Sequence, residues 1–313
     1  SFRFCAQPPT KSKRLGNKTD VQDPKLWFQL GNLYYRAGMV EKAEMYFKQI
    51  LSVSFPDNAA EVHFKIAMIY KQNAQYIESA EIFNNECWNT PPEGMTQEDI
   101  LCQLVQLYQL TESIEIGKEA HEKAIGLLNE RESPFGVILL AWLSHLIVMN
   151  PSANDFFHSD PEFPSQLMCG LFQKDPNNVL AIYVYGRILA DTQHQQDAFS
   201  AFQQAVNLDM TNPLYWCSIG NTYYHIKLYN EAIKAYFRAI NLTPQLPEVW
   251  YNMGTLYIFH KQRDDAIGSF KRAHQLDPKN PLYRSLLDYD GKTTFERQSI
   301  LDPSPFSTLP NYT

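Results

Sequence analysis

The chain has no apolar run able to cross a bilayer. Its most apolar stretch, Gly136 to Met149, is interrupted by Ser144 and His145, whereas a spanning helix needs about 20 apolar residues; a buried helix is expected there, and no membrane partner. No apolar run opens the sequence, so no secretory signal is expected, and the sequons at Asn17, Asn241 and Asn311 carry no weight without one. Cysteine is sparse. Cys5, Cys87, Cys102, Cys169 and Cys217 are odd in number, scattered and never paired as C-x-x-C, which argues for reduced thiols in a cytosolic or nuclear protein. Basic residues are outnumbered: 27 Lys and Arg against 34 Asp and Glu leave a net charge of −7. That argues against direct nucleic-acid binding, because phosphate contacts need clustered cations.

Motifs that carry chemistry are also lacking. Gly291-Lys292-Thr293 echoes the end of a P-loop, but the earlier glycine and the preceding strand are missing. His121-Glu122 lacks the second histidine of a zinc-protease helix, and His158-Ser159-Asp160, with the H-x-D spacing of iron-dependent oxygenases, falls in a loop between helices with no barrel to hold a metal. No enzymatic activity, cofactor or metal site is expected.

What is present is a pattern written three times with a spacing of 34 residues between Val179 and Asn280. Gly186, Gly220 and Gly254 recur, followed by Ala198, Ala232 and Ala266, then Phe202, Tyr236 and Phe270, then Ala205, Ala239 and Ala273, with Pro244 and Pro278 closing two units. This is the tetratricopeptide (TPR) period and its residue pattern. Small residues mark where two antiparallel helices approach closely, and aromatics fill the wider spaces. Proline ends the second helix because it lacks the amide hydrogen that would continue it. One such hairpin cannot bury its own apolar face, so units must stack. The expected fold is all-α: a TPR superhelix, or α-solenoid, of about seven hairpins plus a capping helix.

Taken in order, residues 1–23 read as a disordered leader containing the basic run Lys11-Ser12-Lys13-Arg14. Units follow near 24–57, 60–93 and 98–131. In the third, Leu104, Val105, Tyr108, Gly117, His121 and Ala124 stand where the pattern wants large, small, aromatic, small, aromatic and small. The fourth, 137–178, is eroded and has an enlarged loop; the fifth to seventh span 179–212, 213–246 and 247–280. A cap over 281–290 and a flexible, proline-rich tail over 291–313 complete the chain.

The first helix of each unit lines the concave side, so unit positions 2, 5, 9, 12 and 13 are expected to face the groove. The expected partner-binding residues are Phe28, Asn32, Tyr35 and Phe64 in the first two units and Tyr183, Arg187, Asn221, Tyr224 and Tyr251 in the last three. Aromatic anchors with a few amide and guanidinium groups suit an extended or helical peptide. A clamp for a chaperone's C-terminal carboxylate is not assembled, since Phe28, Phe64 and Cys102 stand where such repeats need lysine or another fixed polar group.

The wording of the repeats carries a more specific likeness. The runs Ala198 to Asn207, Asn212-Pro213-Leu214-Tyr215-Trp216-Cys217-Ser218-Ile219-Gly220 and Glu248-Val249-Trp250-Tyr251-Asn252-Met253-Gly254-Thr255-Leu256-Tyr257 closely resemble the TPR subunit of the fungal general transcriptional corepressor, and more distantly the TPR region of animal histone lysine demethylases. The resemblance is close over Leu180 to Leu287 and looser over Pro24 to Lys174. It implies a nuclear, non-catalytic adaptor that receives the helical segment of a WD-repeat corepressor on its N-terminal repeats and DNA-bound repressors on others. By position, Phe28, Asn32, Tyr35 and Phe64 would meet the corepressor, and Tyr183, Arg187, Asn221, Tyr224 and Tyr251 the repressors. The sequence departs from that family in having seven units rather than more and no long glutamine-rich region. The alternative is a cytosolic TPR scaffold for protein quality control or trafficking.

Overall fold

A computed structural model describes residues 23–53, 59–131, 133–153, 160–287 and 300–307. Among these the ordered elements are helices: α1 (Pro24–Arg36), α2 (Val40–Ser52), α3 (Ala59–Gln72), α4 (Tyr76–Ile82), α5 (Gln97–Thr111), α6 (Ile114–Glu130), α7 (Pro134–Met149), α8 (Phe163–Lys174), α9 (Val179–Asp191), α10 (Gln195–Leu208), α11 (Pro213–His225), α12 (Tyr229–Leu242), α13 (Pro247–Phe259), α14 (Arg263–Leu276) and the short α15 (Pro281–Ser285). The leader expected over 1–23 lies outside the described residues except for Asp23, as does His158-Ser159 of the H-x-D run. The chain falls into two compact units, residues 1–82 and 83–313.

The helix starts follow from local chemistry. Asp23 accepts from the Lys25 amide at 2.9 Å, and Asn178, Asn212 and Asn280 cap α9, α11 and α15 in the same manner. These side chains satisfy amide groups that a helix start leaves unpaired, and proline at the first turn of α1, α11, α13 and α15 removes one of them.

The turns inside five hairpins close identically. The amides of Met39, Gln75, His194, Leu228 and Gln262 each donate to the carbonyl five residues earlier at 2.9 Å, the signature of a Schellman closure. The residue before each donor is left-handed, with φ from 59° at Lys261 to 71° at Gly38. Only the first hairpin uses glycine there. Between repeats, the Trp216 and Trp250 indoles donate to the carbonyls of Met210 and Pro244, at 3.1 and 3.0 Å, pinning each connecting turn to the helix that follows.

In the first unit the core is Ala43, Phe47, Ile50, Val62, Ile66 and Ile69, drawn from α2 and α3 and flanked by Trp27, Phe28, Tyr34 and Tyr35 of α1. In the second, each hairpin of the last three repeats is locked by an aromatic ring over a glycine. A methyl group built on Gly220 would stand 2.4 Å from Tyr236, on Gly186 2.7 Å from Phe202, and on Gly254 2.5 Å from Phe270. The third repeat makes its close approach at another pair of positions: Gly117 on the second helix lies under Tyr108 of the first, where a methyl group would be 2.7 Å away. Helix α7 packs against α5, α6, α8 and α9 and buries residues on all sides, Ile138 to His145 among them. That explains why the run is apolar on every face, with Ser144 and His145 its polar exceptions. None of the described helices is long and apolar enough to cross a membrane.

One segment departs from expectation. Residues 300–307, read from sequence as part of a flexible tail, lie against α7, α9, α11 and α13 and bury Pro303, Pro305 and Phe306. The remainder of that tail, 291–299 and 308–313, lies outside the described residues.

Candidate peptide-binding groove

The site is built on the first helices of the last three repeats. On α13, Asn252 is fully buried and its amide addresses both polar groups of one backbone residue: Nδ2 donates to the Leu301 carbonyl at 2.7 Å, and Oδ1 accepts from the Leu301 amide at 2.8 Å. Asn252 Nδ2 also donates to Asn221 Oδ1 at 3.0 Å, and the Tyr236 hydroxyl donates to the same oxygen at 2.5 Å. With Oδ1 so engaged, Asn221 turns its Nδ2 outward and donates to the Leu301 carbonyl at 3.2 Å. Two asparagines on neighbouring repeats thus hold a piece of extended backbone without reading its side chain.

Along the groove the contacts become chemical. Ser218 donates to the Asp302 carboxylate at 3.2 Å, and Arg187 on α9 donates to the Pro303 carbonyl at 2.8 Å with Asp302 3.8 Å away. Arg187 is only 5% exposed. Its guanidinium also donates to the Tyr183 hydroxyl at 3.3 Å and stands 5.3 Å from the Trp142 ring centroid. Burial works against its charge, but Asp302, Tyr183 and Asp191 outweigh that and hold its pKa above the ordinary arginine value. Phe306, 1% exposed, meets Phe135 of α7 edge to face at 6.3 Å, and Leu301 packs on the cluster of Tyr251, Phe270 and Tyr283.

The residues expected to bind a partner divide into three groups. Arg187 and Asn221 contact residues 301–303 of the chain itself. Tyr183 and Tyr251 are fully buried and form the floor: Tyr183 lies between Phe202 and Tyr215 at 5.9 and 4.8 Å, Tyr251 between Phe270 and Tyr283 at 5.9 Å each. Tyr224 is half-buried in an aromatic cluster with Tyr229 and Phe259.

In the first unit Phe28 packs on Phe47, Phe64 is buried, and Tyr35 accepts from Gln72 Nε2 at 2.9 Å with Lys65 over its ring; Asn32 is half-exposed.

Ser218 and Asn252 were missed. Both occupy position 6 of their repeats, which was not counted among groove positions. A polar residue there in two successive units, Ser218 and Asn252, was the available signal. Among the described residues no group of three or more His, Cys, Asp or Glu could hold a metal ion. Cys217, on the same helix face, is fully buried, and burial with the Asp302 charge raises its thiol well above the usual range, so it is not a reactive thiolate.

Family models described as TPR repeat and tetratricopeptide repeat match residues 228–258, 247–280 and 24–56. The fold is a tetratricopeptide-repeat solenoid. A crystal structure of a tetratricopeptide repeat protein from Parabacteroides merdae is similar at a TM-score of 0.59 with 11% identity, over 84% of this chain and 97% of that one. The MamA protein matches 58% of this chain and 92% of its own at 18% identity, but its TM-score of 0.37 carries no argument. As a TPR array, the chain is a protein-interaction scaffold.

Proposed function

We propose that this protein is a nuclear, non-catalytic adaptor of a transcriptional corepressor complex, bridging a WD-repeat corepressor and DNA-bound repressors. Two things support this reading: the resemblance of the Trp216 to Gly220 and Trp250 to Tyr257 runs to the fungal corepressor subunit, and a groove able to take extended peptide. The observation that carries it is the pairing of Asn252 with both the amide and the carbonyl of one backbone residue. A surface of that kind accepts many sequences at one point and selects among them elsewhere, as an adaptor with several repressor clients requires.

The helical segment of the WD-repeat partner is assigned to the face of α1 that carries Phe28, Asn32 and Tyr35, spaced four and three residues apart, where Asn32 and Tyr35 are half-exposed. Phe28 packs on Phe47, and Phe64 is buried in the following helix α3. Affinity purification of the tagged chain with mass spectrometry tests the assignment. A WD-repeat protein and sequence-specific repressors are expected, and Asn32→Glu should remove the former while leaving helicity unchanged. Recovery of chaperones with no WD-repeat protein would favour the quality-control reading and reject this one.

A further inference from the structure

The groove is occupied by the chain itself, and the occupant has the features of a recognition motif. We propose that residues 300–307 stand in for a partner peptide: the groove selects segments of the form apolar-Asp-Pro-x-Pro-Phe, ending in a turn, from other proteins, and a partner binds by displacing the chain's own copy. The inference rests on the scaffold reading of the groove and not on the corepressor assignment.

Each position of the motif answers a physical requirement. Position one contributes backbone to Asn252 and Asn221 and an apolar side chain to the cluster around Tyr251. The acidic second position sits beside Arg187, a cation held in the groove wall among Trp142 and Tyr183 and served there by a carboxylate. An amide in the same place would remove the foremost counter-charge of that cation and leave the Asp191 carboxylate. Prolines at the third and fifth positions have no amide hydrogen. A peptide laid in a groove of side chains, with no neighbouring strand, must otherwise bury such donors unpaired. Of the remaining amides, that of Phe306 faces the Ser304 hydroxyl at 3.5 Å and that of Ser307 donates to the Ser304 carbonyl at 3.0 Å, so the segment satisfies these donors itself. The Phe at the sixth position is the anchor: it is the segment's bulkiest side chain and is buried against Phe135.

Order along the groove is fixed too. Leu301 sits at α13 and α11, Pro303 at α9 and Phe306 at α7, so the segment runs opposite to the order of the repeats. Residues 288–299 tether it to the array. A tether of about this length holds its end at roughly millimolar effective concentration. If the isolated segment binds with a Kd of about 10 μM, the closed form outweighs the open one about 100-fold and weakens a competing peptide by that factor. A second, independent contact elsewhere on a partner would then be needed to open the groove.

The test uses the full chain. A fluorescein-labelled peptide of sequence SILDPSPFST is titrated against wild type, against Asp302→Lys with Phe306→Ala, and against that double variant carrying Asn252→Ala, with anisotropy as the readout. The double variant should bind at least about 10-fold more tightly than wild type, and adding Asn252→Ala should return binding to background. Equal affinity in wild type and double variant, or binding indifferent to Asn252→Ala, overturns the proposal.

Hydrogen exchange on the wild-type chain covers the case in which a variant fails to fold. Isotope-labelled peptide in excess should speed exchange in fragments covering residues 300–307, and unchanged exchange overturns the proposal equally. Neither result depends on whether a WD-repeat protein is recovered in the purification experiment.

Discussion

Asn221 and Asn252 show how an ordinary-looking polar residue becomes a recognition element. An asparagine amide has a donor end and an acceptor end. The Tyr236 hydroxyl and Asn252 both address the acceptor end of Asn221, so its donor must face the groove. Tyr236→Phe removes one of these constraints while keeping the ring that packs on Gly220, so it should weaken segment binding several-fold and cost stability by only about 1 kcal/mol. Peptide anisotropy and urea denaturation on the same preparation separate the two effects.

Glu248 is the other informative residue. Burial first, then the charges of Asp277 and Asp302, push its carboxyl pKa above the usual glutamate range. Its folded value therefore exceeds its unfolded one. The sign follows: whatever stability Glu248 lends is fully present below the ordinary carboxylate pKa and is lost as pH rises through the elevated folded value. Glu248→Gln should raise the Tm at pH 7 and make no difference near pH 4; a gain independent of pH would contradict the assignment.

At the scale of elements, hairpin geometry is set by one glycine and one ring in each of the last three repeats. Because a methyl group on Gly220 would stand 2.4 Å from Tyr236, Gly220→Ala must push the two helices apart or turn the ring. The expected cost is about 1–3 kcal/mol by urea denaturation. In a helix without this contact the same change would stabilise by about 1 kcal/mol, so the sign of the effect is the check. The third repeat makes its close approach at another pair of positions, with Gly117 under Tyr108.

For the molecule as a whole, two kinds of buried phenylalanine should behave differently. Phe270 belongs to the hairpin that it packs, so Phe270→Ala should cost about 3–5 kcal/mol. Phe306 is equally buried, but under the displacement proposal its segment leaves the groove without unfolding any helix. The loss from Phe306→Ala is therefore capped at the docking free energy, about 3 kcal/mol for a 100-fold closed form. Denaturant midpoints for the two variants test this ordering, and a larger loss for Phe306→Ala would show the segment to be an integral part of the core.

The sequence by itself determined the helical hairpins, their 34-residue period and the helix starts and stops, because small residues, caps and prolines act over a few residues at a time. It pointed to Arg187 and Asn221 for the same reason, since both repeat a fixed position on a first helix. Only the tertiary structure decided that Tyr183 and Tyr251 are floor, that Asn252 and Ser218 are contacts, and that residues 300–307 fill the groove. Proline-rich chain looks locally like tail whether or not it is docked. Its partner Arg187 lies 116 residues away from Pro303, a separation at which local pattern carries no information and burial alone selects the contact.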